Sequence, residues 1–107
     1  MNYRVFPLTI LILCFSFYSF GQQKFTLSGS ISEASSNETL IGVTIAVPEL
    51  RTGVTTNEYG FYSLTLPEGD YELQVSYLGF KTINQKIALT DDQKINFQLT
   101  EEAEQLE

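Results

Sequence analysis

The side chains that carry most hydrolytic and metal chemistry are almost absent from this chain. Its 107 residues contain no histidine and one cysteine, Cys14. Serine triads, cysteine–histidine pairs and zinc sites built from histidine and cysteine all need those side chains. The composition therefore excludes these classes of site, and we expect a protein with neither catalytic residues nor a cofactor.

Carboxylates are the remaining groups that could hold a metal ion. Asp91 and Asp92 are adjacent, and Glu68 and Asp70 stand on either side of Gly69. A calcium site requires several oxygen ligands that converge from spaced positions, as in a loop of about 12 residues. Neither pair has that spacing, so we interpret both as solvated turns and predict no metal site.

Net charge narrows the range of partners. Without Arg4, which falls in the amino-terminal apolar segment, five lysine and arginine residues stand against 13 aspartate and glutamate residues, a net charge of −8. A negative field of this size opposes the approach of phosphate backbones and anionic lipid surfaces. We therefore expect no nucleic-acid partner and no direct insertion of the mature domain into a membrane.

The amino terminus has the pattern of a targeting segment. Arg4 precedes an apolar run from Val5 to Phe20, and Ser19 and Gly21 are small residues of the kind that precede a cleavage site. This pattern is typical of a secretory signal peptide over residues 1–21. The predicted mature chain begins at residue 22, is exported, and contains no cysteine, so its core must stabilise it without disulfide bonds.

Two alternatives fit the same segment less closely. A permanent membrane anchor needs about 20 apolar residues, whereas this run is shorter and contains Pro7. A lipoprotein signal needs a small residue directly before its cysteine, and here Leu13 precedes Cys14. We therefore interpret Cys14 as a hydrophobic residue of the signal.

The stretch from Thr55 to Phe80 organises the rest of the chain. Two alternating apolar runs lie on either side of a Pro67–Asp70 turn, in which proline and Gly69 prevent a continuing strand. The sequence predicts a β-hairpin whose single apolar face must be covered by another sheet. The residues of that face are Tyr62, Leu64, Leu66, Tyr71, Leu73, Val75 and Tyr77.

Further alternating runs precede and follow the predicted hairpin. They predict strands around residues 25–32, 43–47, 54–56, 81–89 and 95–99. About seven strands at roughly ten-residue spacing are typical of a β-sandwich, so we predict an all-β, seven-stranded sandwich over residues 22–99. The acidic residues 100–107 have no apolar face, and we expect a linker or a disordered tail there.

Glycine and aromatic residues mark the turns. Gly60 is the predicted site of a backbone conformation that bulkier residues avoid, and Gly79 marks a bend or a close backbone approach. Tyr59 and Phe61 flank Gly60 on the polar side of the alternation. We predict that this aromatic pair is an exposed docking surface, with packing of the loop against its own domain as the alternative.

Five segments of the chain form a recognisable series. In order they are S-G-S-I-S at 28–32, L-I-G-V-T-I at 40–45, T-N-E-Y-G-F-Y-S-L at 56–64, P-E-G-D-Y-E-L at 67–73 and S-Y-L-G-F-K-T at 76–82. This series closely resembles the carboxypeptidase-regulatory-like domain. The resemblance covers about residues 25–99 and implies a transthyretin-like Greek-key sandwich. More narrowly, the segments are similar to the copy of this domain that lies between the signal peptide and the plug of TonB-dependent outer-membrane receptors.

The narrower resemblance implies a role without catalysis. The chain would be an accessory domain on the periplasmic face of the Gram-negative outer membrane, in contact with the plug or barrel of its receptor or with a periplasmic protein. In such receptors the following linker leads into a run that begins Leu-Glu, and here the last residues are Leu106-Glu107. We therefore expect a fragment of a receptor. A free-standing secreted or surface-attached binding module is the alternative.

An internal isopeptide bond, as found in related sandwich domains of surface adhesins, would join a lysine to an asparagine beside a buried acid. Lys24 precedes the first predicted strand and Asn96 lies in the last, which is the required order. Because Asn96 alternates with Ile95 and Phe97, its side chain is predicted to face solvent, where the apolar setting for this reaction is missing. We expect no such cross-link.

Overall fold

The computed structural model describes residues 23–103, which form eight β-strands and one short 3-10 helix. The predicted signal peptide and residues 104–107 lie outside the described residues. The strands are β1 (Lys24–Glu33), β2 (Thr44–Val47), β3 (Thr52–Thr55), β4 (Phe61–Pro67), β5 (Gly69–Ser76), β6 (Ile83–Leu89), β7 (Gln93–Lys94) and β8 (Phe97–Leu99). The 3-10 helix covers Pro48–Leu50. Within the described range, no helix is long and apolar enough to cross a membrane.

The strands form two sheets that face each other. In the first sheet the central strand β1 pairs antiparallel with β4, with Leu27 opposite Leu64, and parallel with β7 and β8. In the second sheet the order is β3-β2-β5-β6, and every neighbouring pair is antiparallel. The predicted all-β sandwich is confirmed.

The core is built from the side chains that alternate inward along these strands, because neighbouring residues of a strand point to opposite faces. Leu27 in the first sheet and Leu73 in the second have no exposed surface. Tyr62 is also buried, whereas Tyr71 and Tyr77 are half-buried and pack against the margin of the core. The other buried apolar residues are Ile31, Val43, Ile45, Val47, Leu64, Leu66, Val75, Ile87, Leu89, Phe97 and Leu99.

The predicted hairpin is wrong in its pairing. β4 pairs with β1, and β5 pairs with β2 and β6, so the two runs lie in different sheets and face each other across the core. Only Glu68 separates β4 from β5, and its N–H donates to Gln23 O at 2.9 Å. The apolar alternation is the same in both arrangements, since either one points these side chains toward a common interior.

The structure has eight strands where seven were predicted, because the short β7 precedes the predicted last strand, 95–99, which is regular only from Phe97. Between β7 and β8 the chain approaches β1 closely. The backbone oxygen of Ile95 would lie 1.9 Å from a Cβ added to Gly29, so only glycine leaves room for this crossing. Ile95 N–H donates to Ser28 O at 2.8 Å, and the Oη of Tyr62 donates to Ile95 O at 2.7 Å. The chain therefore remains bonded to β1 between β7 and β8, although it is not a regular strand there.

Lys24 and Asn96 are far apart, in agreement with the expectation of no cross-link between them. Asn96 is exposed, and its Oδ1 accepts a hydrogen bond from Ser30 N at 2.9 Å. Lys24 lies opposite Pro67, at the other end of β1. Six residues of extended strand from Lys24 to Ser30 span about 20 Å, which places the two side chains beyond reach of a bond.

Part of the predicted linker belongs to the folded domain. Lys81 N–H donates to Thr100 O and Glu102 N–H donates to Gly79 O, each at 2.9 Å. Phe80 and Glu101 form an isolated antiparallel bridge between these two bonds. The expectation of a linker that begins at Thr100 is therefore wrong for residues 100–102, because the backbone of residues 79–81 offers them hydrogen-bonding partners.

Candidate docking surface

The sandwich has two ends that differ in their connections. At the first, named here the loop end, lie residues 34–43, 56–60, 77–82 and 100–103. At the opposite end, named the turn end, lie the 3-10 helix Pro48–Leu50, Glu68 and residues 90–92. The sequence-predicted docking residues Tyr59 and Phe61 are at the loop end.

Asn57 shapes the loop that carries the aromatic pair. Its Oδ1 accepts hydrogen bonds from the N–H groups of Tyr59 and Phe61 at 2.9 and 3.0 Å. Its own backbone accepts from Gly60 N and donates to Phe61 O, each at 2.9 Å. An asparagine side chain that bonds backbone groups two residues onward is a common way to close a tight turn.

Gly60 attaches this loop to the body of the domain. Its φ is +78°, a left-handed conformation that favours glycine. Its carbonyl accepts a hydrogen bond from Ile31 N at 2.9 Å, and an added Cβ would lie 2.7 Å from the Cβ of Thr39. The loop is therefore held against β1 and residues 39–40.

The aromatic side chains nevertheless point away from the domain. Tyr59 is 64% exposed and Phe61 is 54% exposed. Phe61 is the first residue of β4 and alternates with buried Tyr62, so it lies on the outer face of the first sheet. The backbone of the loop packs against the domain and leaves these two side chains in solvent.

Two further exposed apolar residues at the loop end were missed by sequence reasoning. Ile41 is 56% exposed and Leu78 is 96% exposed. Each is followed by a glycine with positive φ, Gly42 at +80° and Gly79 at +89°. An apolar residue directly before a turn glycine is a signal that could have identified both, since turns lie at the surface.

Gly69 differs from the other two predicted turn glycines, Gly60 and Gly79. It is the first residue of β5 and is not among the glycines with positive φ. A Cβ there would lie 3.2 Å from the Oη of Tyr71, which donates to Pro67 O at 2.7 Å. The small size of Gly69 therefore accommodates the ring of Tyr71 at the corner between the sheets.

The carboxylates at the turn end bind backbone groups. Asp92 Oδ1 accepts from Thr26 N at 2.8 Å, and Glu49 Oε1 accepts from Glu72 N at 3.1 Å. Across residues 23–103, no three histidine, cysteine, aspartate or glutamate side chains are grouped in a way that could hold a metal ion. The role of these two acids is to satisfy strand N–H groups.

Tyr62, the buried tyrosine that follows Phe61 in β4, has an ordinary structural environment. Burial raises the pKa of Tyr62 to about 12 from its usual 10.0, and its proton is bonded to Ile95 O. A phenol that holds its proton this tightly is a poor base or nucleophile at neutral pH. Tyr62 connects β4 to the crossing after β7.

Comparisons with known proteins agree with this architecture. A family model, the CarboxypepD_reg-like domain, matches residues 27–107, and no curated protein sequence matches the chain. One similar structure is a type II cohesin–X-dockerin complex from Acetivibrio cellulolyticus, with a TM-score of 0.59 and 17% identity over 68% of this chain and 52% of that chain. The chain thus spans about half the length of that relative.

Two other solved structures share the fold. A DUF3823 family protein from Bacteroides ovatus has a TM-score of 0.58 and 22% identity over 74% of this chain and 44% of that chain. The C-terminal domain of the shaft pilin SpaA from Lactobacillus rhamnosus GG has a TM-score of 0.57 and 10% identity over 76% of this chain and 100% of that chain. With the family model matched from the first core strand onward, this chain belongs to the CarboxypepD_reg-like domain family.

Proposed function

We propose that this domain is a non-catalytic accessory module that binds another protein through Tyr59 and Phe61. The observation that carries the proposal is the combination of a closely held loop backbone with two aromatic side chains that are 64% and 54% exposed. Aromatic residues are enriched in protein interfaces because they bury a large area at a small cost in side-chain entropy. A rigid loop adds little further ordering cost on binding.

The setting that we propose is the periplasmic side of a Gram-negative outer membrane, where the domain is the amino-terminal extension of a TonB-dependent receptor. The support for this setting is the resemblance of the five segments between residues 28 and 82, together with membership of the CarboxypepD_reg-like family. The partner would be the plug or barrel of the receptor, or a periplasmic protein. A free-standing exported module is the alternative, and the fold suits both.

Photo-crosslinking tests the surface. A benzophenone amino acid is placed at position 59 or 61 in the native bacterium, and the matched control carries it at Leu50, which is 42% exposed at the turn end. We expect an adduct with one protein from positions 59 and 61 and none from position 50. Equal adducts from both ends, or a partner contact that survives Tyr59→Ala and Phe61→Ala, would remove these residues from the interface.

Reading the gene beyond the codon for Glu107 tests the setting. An open frame that continues into plug-like sequence supports the receptor extension. A stop codon directly after Glu107 would contradict the receptor extension and leave the free-standing module. The crosslinking experiment gives its answer in either case, so the two parts of the proposal can fail separately.

A further inference from the structure

The exposed large apolar side chains are distributed unevenly between the two ends of the sandwich. Among residues 23–103 they are Ile41, Leu50, Tyr59, Phe61 and Leu78, and all except Leu50 lie at the loop end. Single exposed apolar residues are common on protein surfaces, whereas several at one place mark an interaction site. The contacts between their neighbours decide whether the four form one surface.

Backbone contacts connect Ile41 to the aromatic loop on both sides. Before Ile41, the backbone nitrogen of Leu40 would lie 3.3 Å from a Cβ on Gly60. After it, Gly42 N–H donates to Thr56 O at 3.1 Å. Ile41 therefore lies beside the loop of residues 57–60 that carries Tyr59.

The same segment also adjoins Leu78. Gly42 and Leu78 line one open depression of about 470 Å³ on the outer side of the second sheet, together with Thr44, Ser76 and Tyr77. Thr44 and Ser76 are paired across β2 and β5. These contacts place Ile41 between the loop that carries Tyr59 and the turn that carries Leu78, all at the loop end.

Leu78 is displayed by a well-bonded turn. Phe80 N–H donates to Tyr77 O at 3.1 Å, and the rings of Tyr77 and Phe80 pack with centroids 5.6 Å apart. Gly79 has open space around the position of a Cβ, with a φ of +89°. The turn keeps the rings of Tyr77 and Phe80 against the core and leaves Leu78 outside. Because the turn is already ordered, binding a partner through Leu78 costs little conformational entropy.

Exposed carboxylates share the loop end with these apolar side chains. Glu38, Glu58, Glu101 and Glu102 are all exposed at the loop end, and Glu102 N–H is bonded to Gly79 O beside Leu78. Among the described residues, Lys81 is the one lysine or arginine at this end. Two copies of the chain that met through this end would bring like charges together, and anionic lipid or nucleic acid would be repelled.

We propose that Ile41, Tyr59, Phe61 and Leu78 form one apolar docking surface for a partner protein that offers an apolar pocket bordered by lysine and arginine. The proposal rests on the docking role of Tyr59 and Phe61 and extends it to two further residues and to the charge of the partner. The exposed carboxylates of the loop end steer a basic partner toward the surface, and the four apolar side chains supply the buried contact.

A displayed random-peptide library, selected on the purified chain, tests the surface and the charge together. We expect the enriched peptides to combine aromatic or aliphatic residues with lysine and arginine, and to bind more weakly as salt rises. Their affinity should fall by about tenfold or more for Leu78→Ser and for Ile41→Ser, and should stay within about twofold for Leu50→Ser, the control at the turn end. Circular dichroism and thermal unfolding of each variant verify that the fold is kept.

Several outcomes would overturn the proposal. Enrichment of neutral or acidic peptides, or of no peptide family, contradicts the basic apolar partner. Affinity that depends on Tyr59 and Phe61 but is unchanged in Ile41→Ser and Leu78→Ser leaves the docking role intact and removes the extended surface. Affinity that depends on none of the four contradicts both proposals. A dimer in light scattering that Leu78→Ser abolishes would identify a second copy as the occupant instead.

Discussion

The two ends of this sandwich satisfy their backbone groups in the same way and differ in the apolar side chains that they expose. At the turn end, polar side chains bond the strand ends: Asp92 accepts from Thr26 N, and Glu49 accepts from Glu72 N. At the loop end, Asn57 closes its turn, and Thr56 Oγ1 bonds both Leu40 O and Val43 N. Hydrogen bonding is therefore provided at both ends.

The difference lies in the apolar side chains that remain outside. The turn end exposes Leu50, whereas the loop end exposes four large apolar residues. Full burial of one such side chain stabilises a fold by about 1.5–3 kcal/mol. The exposed side chains at the loop end do not provide this stabilisation. The requirements of folding explain the residues exposed at the turn end. They do not explain the exposed apolar residues at the loop end, for which we propose a role in binding.

A cavity in the core should affect both ends together. Leu64, in β4, is buried and lies opposite Leu27 of β1. Leu64→Ala should lower the free energy of unfolding by about 2–5 kcal/mol, because lost burial and an unfilled cavity add. Urea unfolding followed by circular dichroism measures the loss. A loss below about 1 kcal/mol would contradict the placement of Leu64 in a packed core.

Alanine substitutions at two glycines of the loop end, Gly60 and Gly79, distinguish the cost of backbone strain from the cost of steric crowding. Gly60→Ala should cost at least about 2 kcal/mol, because an alanine there is both strained at φ +78° and 2.7 Å from Thr39 Cβ. Gly79→Ala meets no atom within 4 Å and should cost only about 1–2 kcal/mol. Equal losses in thermal or urea unfolding would mean that contact with residues 39–40 does not hold the loop.

Alkaline pH tests the buried phenol that connects the two parts of the first sheet. The pKa of Tyr62 is about 12 in the folded chain and 10.0 unperturbed, because burial disfavours the charged phenolate. Above pH 10 the unfolded chain releases this proton first, so the unfolding free energy should fall between pH 10 and 12 and be insensitive to this group below pH 10.

The variant Tyr62→Phe isolates that contribution. It should lose the part of the pH dependence that belongs to Tyr62, while the other tyrosines and the lysines titrate in both proteins. Urea midpoints measured from pH 8 to 12 give the two curves. Parallel curves would contradict a buried, bonded phenol at this position.

Loss of the hydrogen bond from Thr26 N–H to the carboxylate of Asp92 should lower the free energy of unfolding only slightly. Asp92→Ala leaves Thr26 N–H without its partner at 2.8 Å and should cost about 0.5–1.5 kcal/mol. Asp91→Ala is the matched control, since Asp91 Oδ1 has only a long 3.3 Å contact with Gln93 Nε2. If both variants unfold at the same urea concentration, the carboxylate of Asp92 does not stabilise β1.

The smallest effect on stability is expected from the residues that we assign to binding. Leu78 is 96% exposed, so Leu78→Ser should change the free energy of unfolding by less than about 0.5 kcal/mol. Leu50→Ser gives the corresponding value for the turn end. A large loss for Leu78→Ser would show that this side chain packs within the fold, and it would weaken the contrast between the ends.

Much of the architecture could be predicted from local patterns. The alternation of Tyr62, Leu64 and Leu66 established a strand and its inward face, and the buried residues agree with it. Tyr59 and Phe61 fell on the polar side of the same alternation and are exposed. These predictions succeeded because the direction of a strand side chain depends on its position in a two-residue repeat.

Other features could not be read from local patterns. Three features join residues that are distant in sequence. They are the choice of β1 as the partner of β4, the crossing of Ile95 over Gly29, and the position of Gly42 beside both Thr56 and Leu78. By itself, the sequence determined where most of the strands lie, which faces are apolar, and which histidine- and cysteine-based chemistry is excluded. Only the tertiary structure decided which strands pair and which exposed residues share a surface, because backbone hydrogen bonds are chemically alike for every candidate partner and long-range packing selects among them.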